Sequence, residues 1–123
     1  MNRRIERGRR AREQGRRAEW TAALWLMLKG YQVLGFRLKD RLGEIDLLAR
    51  KGGVLAVVEV KRRASVEAAL ESLGTQQRAR LLSAGQAWIA RRPALKGLDL
   101  RLDMVTLAPG RFPRHVRGLI VDR

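Results

Sequence analysis

The chain has 123 residues, 27 of them Lys or Arg against 12 Asp or Glu, a formal net charge of +15, with 46% hydrophobic residues and no Cys. That is one core of ordinary size, too short for a two-domain enzyme and too apolar for a disordered basic tail. The absence of Cys excludes a disulfide scaffold, a thiol nucleophile and a Cys-ligated zinc or iron–sulfur centre, and the single His excludes a multi-His site.

The first 17 residues hold eight Arg and two Glu, a local net charge of +6. Like charges repel, so residues 1–14 are expected as a basic N-terminal arm, with a solvated helical extension as the alternative. The domain is expected over 15–123. From about Arg10 the pattern turns helical and stops at Gly30; Gly15, Glu19, Ala22, Ala23 and Leu26 share one face, which sets a carboxylate on a core-facing stripe. This N-terminus mimics a secretion signal, but Glu6, Glu13 and Glu19 interrupt it and no small-x-small cleavage site follows Leu28. No stretch approaches the roughly 18 apolar residues of a membrane span, so a cytoplasmic protein with no membrane partner is expected.

Residues 31–39, 43–51 and 54–62 read as three short strands, the last two joined by Gly52-Gly53, a strong hairpin signal. Val66 to Arg92 reads as helix with a break at Gly74-Thr75. Leu98, Leu100, Leu102 and Met104 alternate with Asp99, Arg101 and Asp103, a strand with one wetter face, and a last strand is expected near Val116 to Val121. The order is αβββαββ, one mixed α/β domain.

The hairpin turn fixes a register. With Gly52-Gly53 as the loop, Lys51 faces Val54, and Asp46 then faces Glu59 while Glu44 faces Lys61, all four polar side chains on one side. The other side pairs Ile45 with Val60 and Leu47 with Val58 as core. Opposed like charges destabilise a sheet, so Asp46 against Glu59 calls for a divalent cation between them, a shared proton, or a slipped register. Glu44 against Lys61 is an ordinary cross-strand ion pair. Two hard oxygen ligands suit Mg²⁺ or Mn²⁺, which can polarise a phosphoryl group and deliver a water, and Lys61 could orient that water or stabilise developing charge.

Asp46, followed after twelve residues by Glu59-Val60-Lys61, resembles the PD-(D/E)xK motif of restriction-endonuclease-like nucleases. Further strings run in order: Gly15-x-x-Ala18-Glu19, Gly30-Tyr31, Gly43-Glu44-Ile45-Asp46-Leu47, Val58-Glu59-Val60-Lys61-x-Arg63 and Arg101-x-Asp103-x-Val105. Together they resemble the small bacterial YraN-type family, related in fold to archaeal Holliday junction resolvases, over roughly residues 15–120. The resemblance implies a restriction-endonuclease-like mixed sheet with an αβββαβ core flanked by helices. It implies a metal held by Asp46, Glu59 and Val60, with Lys61 assisting the water and Glu19 reaching the same site. It departs from the family's pattern at Gln76, where a Lys is usual, and around His115, where Arg117-Gly118-Leu119 replaces an Asn-Ala-aromatic sequence.

The expected function is a Mg²⁺- or Mn²⁺-dependent DNA endonuclease, branched or structured DNA included, with a homodimer expected for a junction-cutting enzyme. The alternative is a non-catalytic nucleic-acid-binding module with the same fold, and a basic protein binding an acidic partner explains the charge alone. Arg's planar fork suits bidentate phosphate contacts, although the excess of 22 Arg over 5 Lys is also what a GC-rich genome produces. Arg62, Arg63, Gln76 and Arg78 are the candidate nucleic-acid contacts. Trp20, Trp25 and Trp88 are expected to pack in the core, and His115 to be structural or at the surface.

Overall fold

The computed structural model describes residues 3–121; the ends of the expected arm and domain, residues 1–2 and 122–123, lie outside the described residues. Along the chain come α1 (Arg3–Leu28), β1 (Gln32–Asp40), β2 (Gly43–Lys51), β3 (Val54–Arg62), α2 (Val66–Glu71), α3 (Thr75–Ala90), a 3₁₀ turn (Pro93–Leu95), β4 (Asp99–Leu107) and β5 (Arg114–Val116). The five strands form one open sheet in sequence order. Both hairpins, β1–β2 and β2–β3, are antiparallel, β3 and β4 run parallel, and β5 closes the far edge antiparallel to β4.

Helix α1 lies on one face of the sheet. Its inner stripe is made of small residues, Ala18, Ala22 and Ala23, with Leu26 one turn on. They let the helix approach Leu47, Ala49, Ala56, Val58 and Val105 closely. Helices α2 and α3 cover the other face, where Ala69, Leu73, Leu81 and Ala84 pack on Ile45, Leu48, Leu55, Val57, Leu102 and Met104. The break between them is at Gly74, which caps α3, and Ser65 caps α2 by accepting from the Ala68 N–H.

Several expectations change at the level of elements. The helix starts at Arg3, so the basic segment forms the first turns of α1, the helical alternative. Trp20 is not core: it is 57% exposed and rests on Phe36 with ring centroids 4.9 Å apart, because the inner face of α1 is already filled by alanines. The last strand comes earlier than Val116 to Val121; beyond Val116 the chain stays tied to β4, the Leu119 N–H donating to the Leu102 carbonyl at 2.7 Å.

Candidate metal and nucleic-acid site

Between β2 and β3 the register is the one the glycine turn dictates, from Lys51↔Val54 to Leu47↔Val58. Gly52 takes φ +57, which costs a residue without Cβ nothing, and fixes the turn that sets every later pair. A slipped register is therefore excluded as the reason for Asp46 facing Glu59. The regular ladder ends at Leu47↔Val58. One residue further, the Asp46 carboxylate accepts from the Val60 N–H at 2.9 Å, so a side chain takes the main-chain donor.

At this point side-chain alternation in β2 fails. Ile45 packs in the α2/α3 cluster and Leu47, two residues on, in the α1 cluster. Opposite Asp46 on β1 stands Arg37 with φ +50, and the β1–β2 pairing skips both residues. The expected face shared by Ile45 and Val60 is therefore not formed: Val60 packs with Leu47 and Val58 on the α1 side. The Glu44–Lys61 ion pair is also absent among the described residues; Glu44 is exposed, and Lys61 sits 3.6 Å from Glu59 on its own strand.

Glu59 is only 6% exposed. Burial, then the neighbouring Asp46 charge, push its pKa up to about 8, and Lys61 only partly offsets them. Asp46 is raised as well, mainly by burial, against the lowering effect of the Val60 N–H. With both acids raised by burial and the Asp46 charge acting on Glu59, the pair favours keeping a proton. Glu19 from α1 is buried within reach of the Asp46 charge, and its ion-pair partner is Arg37. Burial raises its pKa, the Arg37 bond opposes this, and the Asp46 charge acts on it in turn. Chemically, a carboxylate pair that keeps a proton can hold a hard divalent cation in its place. Asp46 and Glu59 would be its side-chain ligands, with the main-chain carbonyl as the donor Val60 can offer. No group of three or more His, Asp or Glu side chains is set to hold a metal ion among the described residues.

Residues 18–107 match the model of a family described as "Uncharacterised protein family UPF0102". The chain belongs to this family. It is 61% identical over 110 residues to a UPF0102 protein of Caulobacter sp. (strain K31), covering 89% of this chain and 79% of that one. A relative from Caulobacter vibrioides (strain NA1000 / CB15N) is 57% identical over 113 residues, covering 92% and 90%. One from Agrobacterium fabrum (strain C58 / ATCC 33970) is 44% identical over 107 residues, covering 87% and 88%. The UPF0102 match spans Glu19, Asp46, Glu59, Lys61 and Asp103, and ends before His115.

The remaining sequence-derived residues of this UPF0102 chain separate into two groups. Arg62 and Arg63 are exposed at the end of β3, and Gln76 is exposed in the first turn of α3. Arg78 is occupied otherwise: its guanidinium donates to the carbonyls of Leu73 at 2.9 Å, Leu70 at 3.0 Å and Ile120 at 3.3 Å, tying α2, α3 and the C-terminal segment together. A residue expected on a wetter face is the most enclosed polar group among the described residues. Asp103 is 0% exposed and accepts from Arg101 at 2.7 and 2.8 Å, from the Gly118 N–H at 3.0 Å and from His115 Nε2 at 2.8 Å. Burial works against its charge, but these donors hold its pKa below the ordinary range. Lys29 donates to His115 Nδ1 at 2.6 Å, which leaves the Nε2–H to point at Asp103. His115 is thus a structural residue, buried rather than at the surface. The available signal was Arg101-x-Asp103 itself, since residues two apart on a strand share a face.

No helix among the described residues is long and apolar enough to cross a membrane.

Proposed function

We propose that the chain is a Mg²⁺- or Mn²⁺-dependent phosphodiesterase of the restriction-endonuclease-like class that cuts DNA in the cytoplasm, branched or structured DNA included. The observation that carries this reading is the meeting of Asp46 and Glu59 beside Lys61, where the β2–β3 ladder ends. A purely structural sheet gains nothing by opposing two buried carboxylates. The cation, when bound, would polarise the phosphodiester and acidify a water. Asp46 and Glu59 hold it; Lys61, 3.6 Å from Glu59, supplies positive charge where negative charge develops on the phosphoryl oxygens. Glu19, tied to Arg37, sets the field behind Asp46 and keeps an arginine at the site. The net charge of +15 suits a polyanionic substrate, and a junction-cutting activity would call for a homodimer to address two strands.

The runner-up, a nucleic-acid-binding module without turnover, is favoured by one feature: Glu19 is already neutralised by Arg37. Purified protein assayed with Mg²⁺, with Mn²⁺ and with chelator on linear, flapped, single-stranded and four-way DNA separates the two. The nuclease reading expects metal-dependent cleavage that Asp46→Asn and Glu59→Gln abolish without unfolding the protein. No cleavage and no metal binding across that set would hand the chain to the binding-module reading.

A further inference from the structure

A groove of about 710 Å³ runs between α1 and the ends of β3 and β4 on the α1 face of the sheet. Four arginines from three separate segments line it: Arg17 from α1, Arg62 and Arg63 following Lys61, and Arg111 from the β4–β5 loop. No carboxylate lines it, and none of the four is ion-paired among the described residues. The wall contributed by α1 follows one stripe, Gln14, Ala18 and Thr21, and the same spacing continues to Trp25 one turn further. There Trp25 meets Phe112 with ring centroids 5.9 Å apart and planes at 30°. Phe112 is 82% exposed, so packing against the core does not account for its place beside this wall.

We infer that this groove holds an unpaired nucleic-acid strand, its phosphates along the arginines and a base stacked on the Phe112–Trp25 platform. A positively charged track combined with exposed aromatic faces is the physical signature of single-strand binding, because every base has a π-face but only an unpaired base presents it. From Gln14 to Trp25 the helix covers about 16 Å at roughly 1.5 Å per residue. That length is enough for a few nucleotides of an extended single strand. The inference deepens the nucleic-acid reading above by naming the strand state, and it rests on that reading for the class of partner. Arg62 and Arg63 follow Lys61 directly, so the groove starts at the candidate site's own strand.

The test is fluorescence anisotropy in chelator, with a labelled twelve-nucleotide oligothymidylate against a labelled twelve-base-pair DNA hairpin. Wild type should bind the single strand more tightly than the hairpin. Phe112→Ala, at an exposed position that folding does not need, should weaken single-strand binding by about 5- to 150-fold, the loss of one stacked base, and leave the hairpin unchanged. Arg111→Ala should reduce the log–log salt slope on the single strand by about 0.7. Tighter hairpin binding, or unchanged single-strand binding in Phe112→Ala, overturns the inference. Because the readout needs no metal, strand binding as stated without any cleavage leaves this inference standing and removes the nuclease reading. Cleavage by a protein indifferent to Phe112→Ala removes this inference alone.

Discussion

Glu59 and Asp103 are both buried acids, and their surroundings push them in opposite directions, so each gives the metal-free protein a different pH limit. Glu59 rises from 4.5 to about 8, so the native state keeps a proton that the unfolded chain releases between those values. Its contribution is fully present below about 4.5 and is lost as pH rises through about 8. Asp103 lies below 3.8, so its contribution is present above that value and lost as pH falls through its native pKa. Thermal melts in chelator should show stability falling from pH 5 to 8, and Glu59→Gln should flatten that fall; a flat wild-type profile would deny that the pair keeps a proton. Asp103→Ala strands Arg101 and His115 without their acceptor and should cost about 3–5 kcal/mol in urea unfolding, whereas a cost under about 1 kcal/mol would mark the network as peripheral. Asp46 against Glu59 was legible because the two-glycine turn pins the register within a dozen residues. Asp103 was not, because its partners Gly118, His115 and Arg101 make sense of its burial only once β5 has folded back onto β4, and alternation alone marks such a position as wet.

At the scale of elements, the turns carried most of the readable information. Gly30, Gly52-Gly53 and Gly74-Thr75 punctuate the chain where elements stop, and the strands at 43–51 and 54–62 follow from them. What local pattern could not give is the irregularity at Asp46, since it depends on Arg37 of the neighbouring strand taking φ +50. The close seating of α3 was equally hidden. A Cβ added at Gly85 would lie 2.6 Å from Val57 Cγ2 and 2.9 Å from Leu100 Cδ1. Gly85→Ala gains about 1 kcal/mol in helix propensity, but overpacking of this kind costs about 1–3 kcal/mol. The variant should therefore melt below wild type, and adding Val57→Ala should recover part of the packing strain on Gly85→Ala, read as non-additivity in a double-mutant cycle. Strict additivity would show that α3 shifts freely instead.

For the whole molecule, the charge that composition reveals at once acquires a direction from the fold. Arg17, Arg62, Arg63 and Arg111 face one groove, and α1 carries the basic N-terminal segment as a helix rather than a loose arm. Nucleic-acid affinity should be mostly electrostatic, falling by about 10³–10⁵ between 50 and 200 mM salt for six to ten duplex phosphate contacts. Deleting residues up to Arg12 should flatten that slope and leave cleavage at saturating DNA intact; an unchanged slope would give the segment another purpose. If Asp46 and Glu59 form a metal site, a bound cation must displace the proton that the pair favours. Calorimetric titration of Mn²⁺ into wild type and Asp46→Asn at pH 7 asks this directly. Saturable binding with proton release is expected in wild type, with its loss in Asp46→Asn; absence of binding in wild type, or equal binding by both proteins, would rule the metal site out.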